Sequence, residues 1–188
     1  MTRNTTPLNF ALRFNGEREF LQGNPMINMQ INMVCEILKL NLIRNHTTAW
    51  CSLAVSYAVI NVMPHLIPVL KGKVNGMAKS WAAFGIPANL NPRLKIGHIV
   101  TYDRGSNKRQ GHVGFFLGSY KGMDTLYGGN QSDSWCFSMY PTHKRHFIID
   151  PYKIEAKDNL NIASVPNAIE SFDEADLIKE ENGILYYE

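Results

Sequence analysis

The sequence predicts an α+β fold in which N-terminal helices pack on an antiparallel β-sheet. Three observations carry this expectation. Apolar residues between Pro25 and Phe84 recur at helical spacing or run together, whereas from Lys95 onward they fall into short β-like runs. Turn signals rich in Gly, Asn and Asp separate those runs. The helices come first and the strands follow as a block, the order that gives an antiparallel sheet rather than a βαβ parallel one.

Asn24-Pro25 joins a capping side chain to a first-turn proline, which starts a helix. Ile27, Ile31, Val34, Leu38 and Leu42 then mark one helix face. Thr47-Thr48 offers a second cap, and residues 50–62 are apolar nearly all round, as in a buried helix. Pro64 and Pro68 end it, and Lys71-Gly72-Lys73 begins a loop. Asn75 can cap a short third helix through Phe84, closed by Gly85 and Pro87. Strands are expected at residues 96–102, 112–120, 125–127, 134–140 and 146–149. Asp103-Arg104-Gly105-Ser106-Asn107, Lys121-Gly122 and Gly128-Gly129 divide them. In the tail, Ile169, Phe172 and Leu177 line a helix with charged faces that ends at Asn182-Gly183, before Ile184-Leu185-Tyr186-Tyr187.

The 188 residues suit one domain, or one domain with a short appendage. No run of 18 apolar residues occurs, so no integral membrane segment is expected. The first residues lack an apolar signal core, so work outside the cytoplasm requires another route of delivery. Charge is split. Residues 155–188 hold nine acids and two lysines, a net charge of −7, while the other 154 residues hold 17 basic and 7 acidic side chains, a net charge of +10. Such a body suits an anionic polymer. Nucleic acid is not the expected partner, because no binding motif or Arg/aromatic cluster accompanies the charge. The acidic tail, with apolar Ile169, Phe172, Leu177, Ile184 and Leu185, is expected to dock on the basic body or a partner and to compete with anionic polymer.

Three cysteines without paired spacing argue against a disulfide framework. Cys35 and Cys136 read as small buried hydrophobes. Cys51 sits about three residues into the helix expected to be capped by Thr48. Unpaired N–H groups and the helix dipole there favour a thiolate, and neighbouring amides can receive an oxyanion. Gln110-Gly111-His112-Val113-Gly114 sets a histidine between glycines at the start of an apolar strand. Alternation along that strand lets His112 point at a helix packed on the sheet, where it can take the thiol proton and later give it to a leaving amine. Gly111 leaves room for a substrate backbone. Gly129-Asn130-Gln131-Ser132-Asp133 supplies a group to orient the imidazole: Asn130 is the choice, with Gln131 and Asp133 as alternatives. Trp50, Gly111, Gly129 and Gln131 are the candidate substrate-binding residues. His98, which also follows a glycine and opens a strand, rivals His112 as base. His143 and His146 fall on opposite faces of a strand, and no metal site, Gly-rich phosphate loop or cofactor is expected.

Trp50-Cys51-Ser52, Ala78-Lys79-Ser80-Trp81, Gly97-His98-Ile99-Val100, Gly111-His112-Val113-Gly114-Phe115 and Gly129-Asn130-Gln131 occur in the order found in CHAP-type cell-wall hydrolases (cysteine, histidine-dependent amidohydrolases/peptidases). The sequence resembles a phage- and prophage-associated branch of that family over roughly residues 8–154, leaving 155–188 as an acidic C-terminal appendage. The resemblance implies a papain-like fold and cleavage of a peptidoglycan amide, within the stem peptide or between sugar and peptide. It matches Cys51, His112 and Asn130 to the family's catalytic positions. His98 stands where the family often has aspartate. Two other functions remain consistent with the same residues: a delivered cysteine hydrolase or acyltransferase acting on a host protein, and a non-catalytic wall-binding virion component. Without a signal segment, access to the wall is expected through release, carriage in a virion or a secretion machine.

Overall fold

The computed structural model describes residues 5–19, 25–41, 49–104 and 110–154, with the backbone of two short strands at 179–181 and 184–186. The caps proposed at Asn24 and Thr47-Thr48, the face residue Leu42 and the tail helix through Ile169, Phe172 and Leu177 lie outside the described residues.

Helices α1 (Pro7–Ala11), α2 (Pro25–Leu38) and α3 (Cys51–Val62) precede the sheet. Thr6 caps α1 by accepting from the Asn9 N–H at 3.1 Å. On α2, Ile27, Gln30, Ile31, Val34, Cys35 and Leu38 are buried at three- and four-residue steps, as the periodicity requires. Every residue of α3 from Cys51 to Ile60 is buried, because this helix lies between its neighbours and the sheet. Pro64 ends it as expected. Pro68 instead sits in the first turn of a further short helix, α4 (Ile67–Leu70), where a missing N–H costs nothing. The third expected helix, Ala78–Phe84, is wound as a 3-10 helix, with Asn75 Oδ1 accepting from the Met77 N–H just before it.

The sheet has six strands: β1 (Ile86–Pro87), β2 (Ile99–Asp103), β3 (Gly111–Tyr120), β4 (Met123–Gln131), β5 (Ser134–Pro141) and β6 (Arg145–Ile149). Their order is β1-β6-β2-β3-β4-β5, antiparallel throughout, so the fold class is α+β. Two strand expectations are corrected. β2 begins at Ile99 rather than residue 96, because Gly97 adopts φ +84° and His98 N–H closes a turn on Lys95. β4 runs on through Gly128-Gly129 rather than turning there. Pro87 follows the helix end as expected and also pairs with Phe147 on the sheet edge, where a proline forfeits no ladder bond.

Alternation along the strands divides the core. Ile99, Val113, Phe115, Leu117, Tyr127, Trp135 and Ile149 face the helices, while Val100, Tyr102, Phe116, Leu126 and Ile148 form a smaller cluster on the opposite face. Cys35 is buried as expected. Cys136 is not: it lies half-exposed on edge strand β5, its Sγ donating to the Gln131 carbonyl at 3.1 Å.

The chain divides into two compact units at about residue 158. In the second, β7 (Lys179–Glu181) pairs antiparallel with β8 (Ile184–Tyr186). Residues 179–181 are therefore strand, not the end of a helix. The sequence between, Asn182-Gly183, is the commonest two-residue hairpin signal, and that signal outweighs the weak helical pattern.

Candidate active site

Cys51 is the first residue of α3, two positions nearer the helix end than expected. No side chain caps this terminus; residues on either side of Cys51 pin it. Trp50 Nε1 donates to Glu19 at 2.7 Å, and Ser52 Oγ donates to the Asn75 carbonyl at 2.6 Å while accepting from Trp81 Nε1 at 3.2 Å. The thiol is thus held at a helix start by two buried indoles and a serine.

The sheet opens where this terminus meets it. β3 and β4 pair up to Phe115↔Tyr127 and then part. Val113 N–H, which strand alternation aims toward β4, lacks a ladder partner there and faces Cys51 Sγ, together with the N–H groups of Cys51 and Ser52. Glycines make the approach possible. A side chain at Gly129 would lie 2.1 Å from the Trp50 ring and 2.5 Å from Ala54 Cβ, and one at Gly114 would lie 2.9 Å from the Tyr127 carbonyl.

His112 stands beside Val113 but on the other face of the sheet, with Tyr102 and Phe116. It does not point at the packed helices as expected. Its ring stacks on Tyr140 at 4.9 Å and 7°, and Tyr140 in turn leans on Tyr102 at 5.1 Å. The Tyr102 hydroxyl donates to Asp124, which Arg145 grips through Nε and Nη2, both at 2.5 Å. This buried ion pair anchors the aromatic layer that clamps the imidazole.

Gln131, rather than Asn130, is the amide that neighbours His112. Gly128 opposes Cys136 and Gln131 opposes Ser134, so β4 carries one extra residue, a β-bulge. Asn130 sits in it at φ +58°, half-exposed. The bulge hands the place that alternation would give Asn130 to Gln131. Gln131 Nε2 donates to the Gly128 and Cys136 carbonyls, which fixes the amide so that Oε1 can only accept. Gln131 Oε1 and His112 Nε2 are both buried and otherwise unpartnered, and the Gln131 amide supports the protonated imidazole as a hydrogen-bonding neighbour. Gln131 Oε1 is thus the nearest acceptor for an Nε2–H, the tautomer that leaves the lone pair on Nδ1. Asp133, the other alternative, is exposed in the two-residue β4–β5 turn.

Burial sets the resting charge state. It pushes the Cys51 thiol up, against the lowering effect of the three N–H groups and Arg104. It also pushes His112 down to about 4, with the Arg104 charge adding to the fall and Gln131 opposing it. The pair rests as neutral thiol and neutral imidazole rather than as the expected thiolate.

The candidate substrate-binding residues divide. Trp50 is 1% exposed and is a core wedge. Gly129 is the glycine that accommodates it. The space beside Gly111 is filled by the Tyr102 carbonyl, 2.8 Å from where a Cβ would be, and by the Lys79 side chain. Gln131 alone of these reaches His112. His98 opposes Phe116, four residues along β3 from His112 or about 13 Å of strand. Its Nδ1 accepts from the Lys95 N–H and its Nε2 lies 3.8 Å from Asp150, so it is held apart from Cys51. Sequence reasoning missed Tyr140 and Arg104, which converge on His112 only through the sheet register.

No single helix among the described residues is long and apolar enough to cross a membrane. In comparison with known proteins, no family model matches the chain and no curated protein matches it. Fold and site together define an α+β protein with a buried cysteine at a helix start, facing the Val113 N–H of β3, and a buried histidine at the preceding residue of that strand.

Proposed function

We propose that this chain is a cysteine amidohydrolase of the cell wall, cleaving a peptidoglycan amide through Cys51, His112 and Gln131. The observation that carries the reading is the pair of buried atoms His112 Nε2 and Gln131 Oε1, which have no other partner among the described residues. His112 directly precedes Val113, whose N–H faces a thiol at a helix N-terminus. A buried polar atom left without a partner costs about 1–3 kcal/mol, which favours these two groups pairing with each other and so holding the imidazole in one tautomer. The helix-borne nucleophile and sheet-borne base also agree with a papain-like arrangement, and the motif order agrees with CHAP-type hydrolases.

In the mechanism, His112 Nδ1 takes the Cys51 proton as Sγ attacks the amide carbonyl carbon. The Cys51 and Ser52 N–H groups, with the positive end of α3 behind them, stabilise the oxyanion. The imidazolium, its Nε2–H held by Gln131, gives its proton to the leaving amine. Water then attacks the thioester, losing a proton to Nδ1, and the tetrahedral intermediate expels the thiolate, which recovers the proton. Because the resting pair is neutral, proton transfer accompanies attack.

The +10 body favours an anionic wall polymer. A zymogram with peptidoglycan in the gel tests the reading. Wild-type protein should clear the wall and Cys51→Ala should not. Clearing by Cys51→Ala, or no clearing by either, defeats it.

A further inference from the structure

We propose that Arg104 is a specificity residue of this site, its guanidinium binding a free carboxylate on the substrate residue next to the scissile amide. The inference rests on the hydrolase reading above and names the substrate class: an anionic peptide in preference to its amidated counterpart.

The sheet register places the residue. Tyr102 directly opposes His112, and the Arg104 N–H donates to the Gln110 carbonyl at 3.4 Å, carrying the β2–β3 ladder one pair past Asp103↔Gly111. Residues two apart share a face, so Arg104 projects on the face that carries His112, as its diagonal neighbour roughly 7–8 Å away between Cα atoms. The side chain is exposed, yet its charge is felt by Cys51, His112 and Tyr140 alike.

Nearby charges are already committed. Lys79 pairs with Asp103 at 2.5 Å, and Arg145 pairs with Asp124. Asp103 is the carboxylate nearest Arg104 in sequence, and alternation puts it on the opposite face, with Lys79. Among the described residues Arg104 forms no ion pair.

An uncompensated cation beside a general base opposes the reaction, because His112 must become an imidazolium within its reach. A carboxylate arriving with the substrate removes that opposition, and the planar fork of Arg suits it bidentately. One contact thus contributes both to binding and to proton transfer.

The test uses two synthetic stem peptides that differ only in a carboxylate or carboxamide next to the scissile bond. kcat/KM is measured for wild type, Arg104→Gln and Arg104→Lys. Wild type should favour the carboxylate about tenfold, the size of one solvated charge-assisted contact. Arg104→Gln should lose that preference by slowing the carboxylate peptide while leaving the amidated peptide as fast as in wild type or faster, because the opposing charge is gone, and Arg104→Lys should retain part of the preference. Equal rates in wild type overturn the proposal. So does an equal loss on both peptides in Arg104→Gln, which would confine the guanidinium to the thiol and imidazole. Should neither peptide nor purified wall be cut by wild type, the hydrolase reading fails by itself. Calorimetric binding of both peptides to Cys51→Ala, with and without Arg104→Gln, then decides Arg104: a carboxylate preference that disappears with the guanidinium supports its role, and equal affinities overturn it.

Discussion

Gly129→Ala separates packing from substrate binding at the centre of the molecule. A Cβ at this position would meet Trp50 Cζ3 at 2.1 Å, Ala54 Cβ at 2.5 Å and Trp50 Cε3 at 2.6 Å. Gly129 is not in the left-handed region, so the cost is steric. Overpacking a core typically costs about 1–3 kcal/mol, and this site belongs at the upper end. The indole is 1% exposed and its Nε1 is bonded to Glu19, so it cannot retreat without straining a charge-assisted hydrogen bond. A loss of about 3 kcal/mol lowers the melting temperature of a chain this size by roughly 6–12 °C. Urea unfolding followed by circular dichroism measures it, and Trp50→Phe in the same background should recover part of the loss by shrinking the obstructing ring. If Gly129→Ala keeps wild-type stability and loses only activity, the reasoning is refuted and the residue belongs to the substrate, as the sequence alone suggested.

Three further outcomes are expected. His112 titrates near 4 when folded and near 6.5 when unfolded, so the unfolded state binds the extra proton between those values and stability falls as pH drops through that window. The loss is about 3 kcal/mol, and His112→Gln should flatten it in urea midpoints at pH 7 and 4.5; parallel slopes would refute the burial argument. Gln131→Ala should slow wall hydrolysis about 10²-fold by freeing the imidazole, whereas Asn130→Gly, which suits the positive φ, should stay within about threefold; the reverse order in a turbidity assay returns the orienting role to Asn130. Tyr140→Ala should solvate His112, raise its pKa toward the ordinary value and shift the acid limb of kcat/KM upward, while Tyr140→Phe keeps the stack and the wild-type profile; an unshifted limb in Tyr140→Ala removes Tyr140 from positioning the base.

The sequence by itself determined the fold class, the buried helix behind Cys51 and the five principal strands. Those features rest on periodicity, on proline and glycine punctuation and on apolar runs, all local properties that neighbouring residues express without knowing the rest of the chain. It also singled out Cys51 and His112 from their flanking residues. The tertiary structure alone decided which face His112 occupies, because alternation assigns faces only relative to a register, and the register is fixed by pairing across strands. It chose Gln131 over Asn130 through one bulged residue that no local pattern announces. It showed that Gly111, Gly129 and Trp50 are packed against other parts of the chain, since a glycine reads the same whether it admits a ligand or a neighbouring side chain. The neutral resting state of the thiol and imidazole was equally out of reach, because desolvation depends on everything that surrounds a group, and the sequence lists only what precedes and follows it.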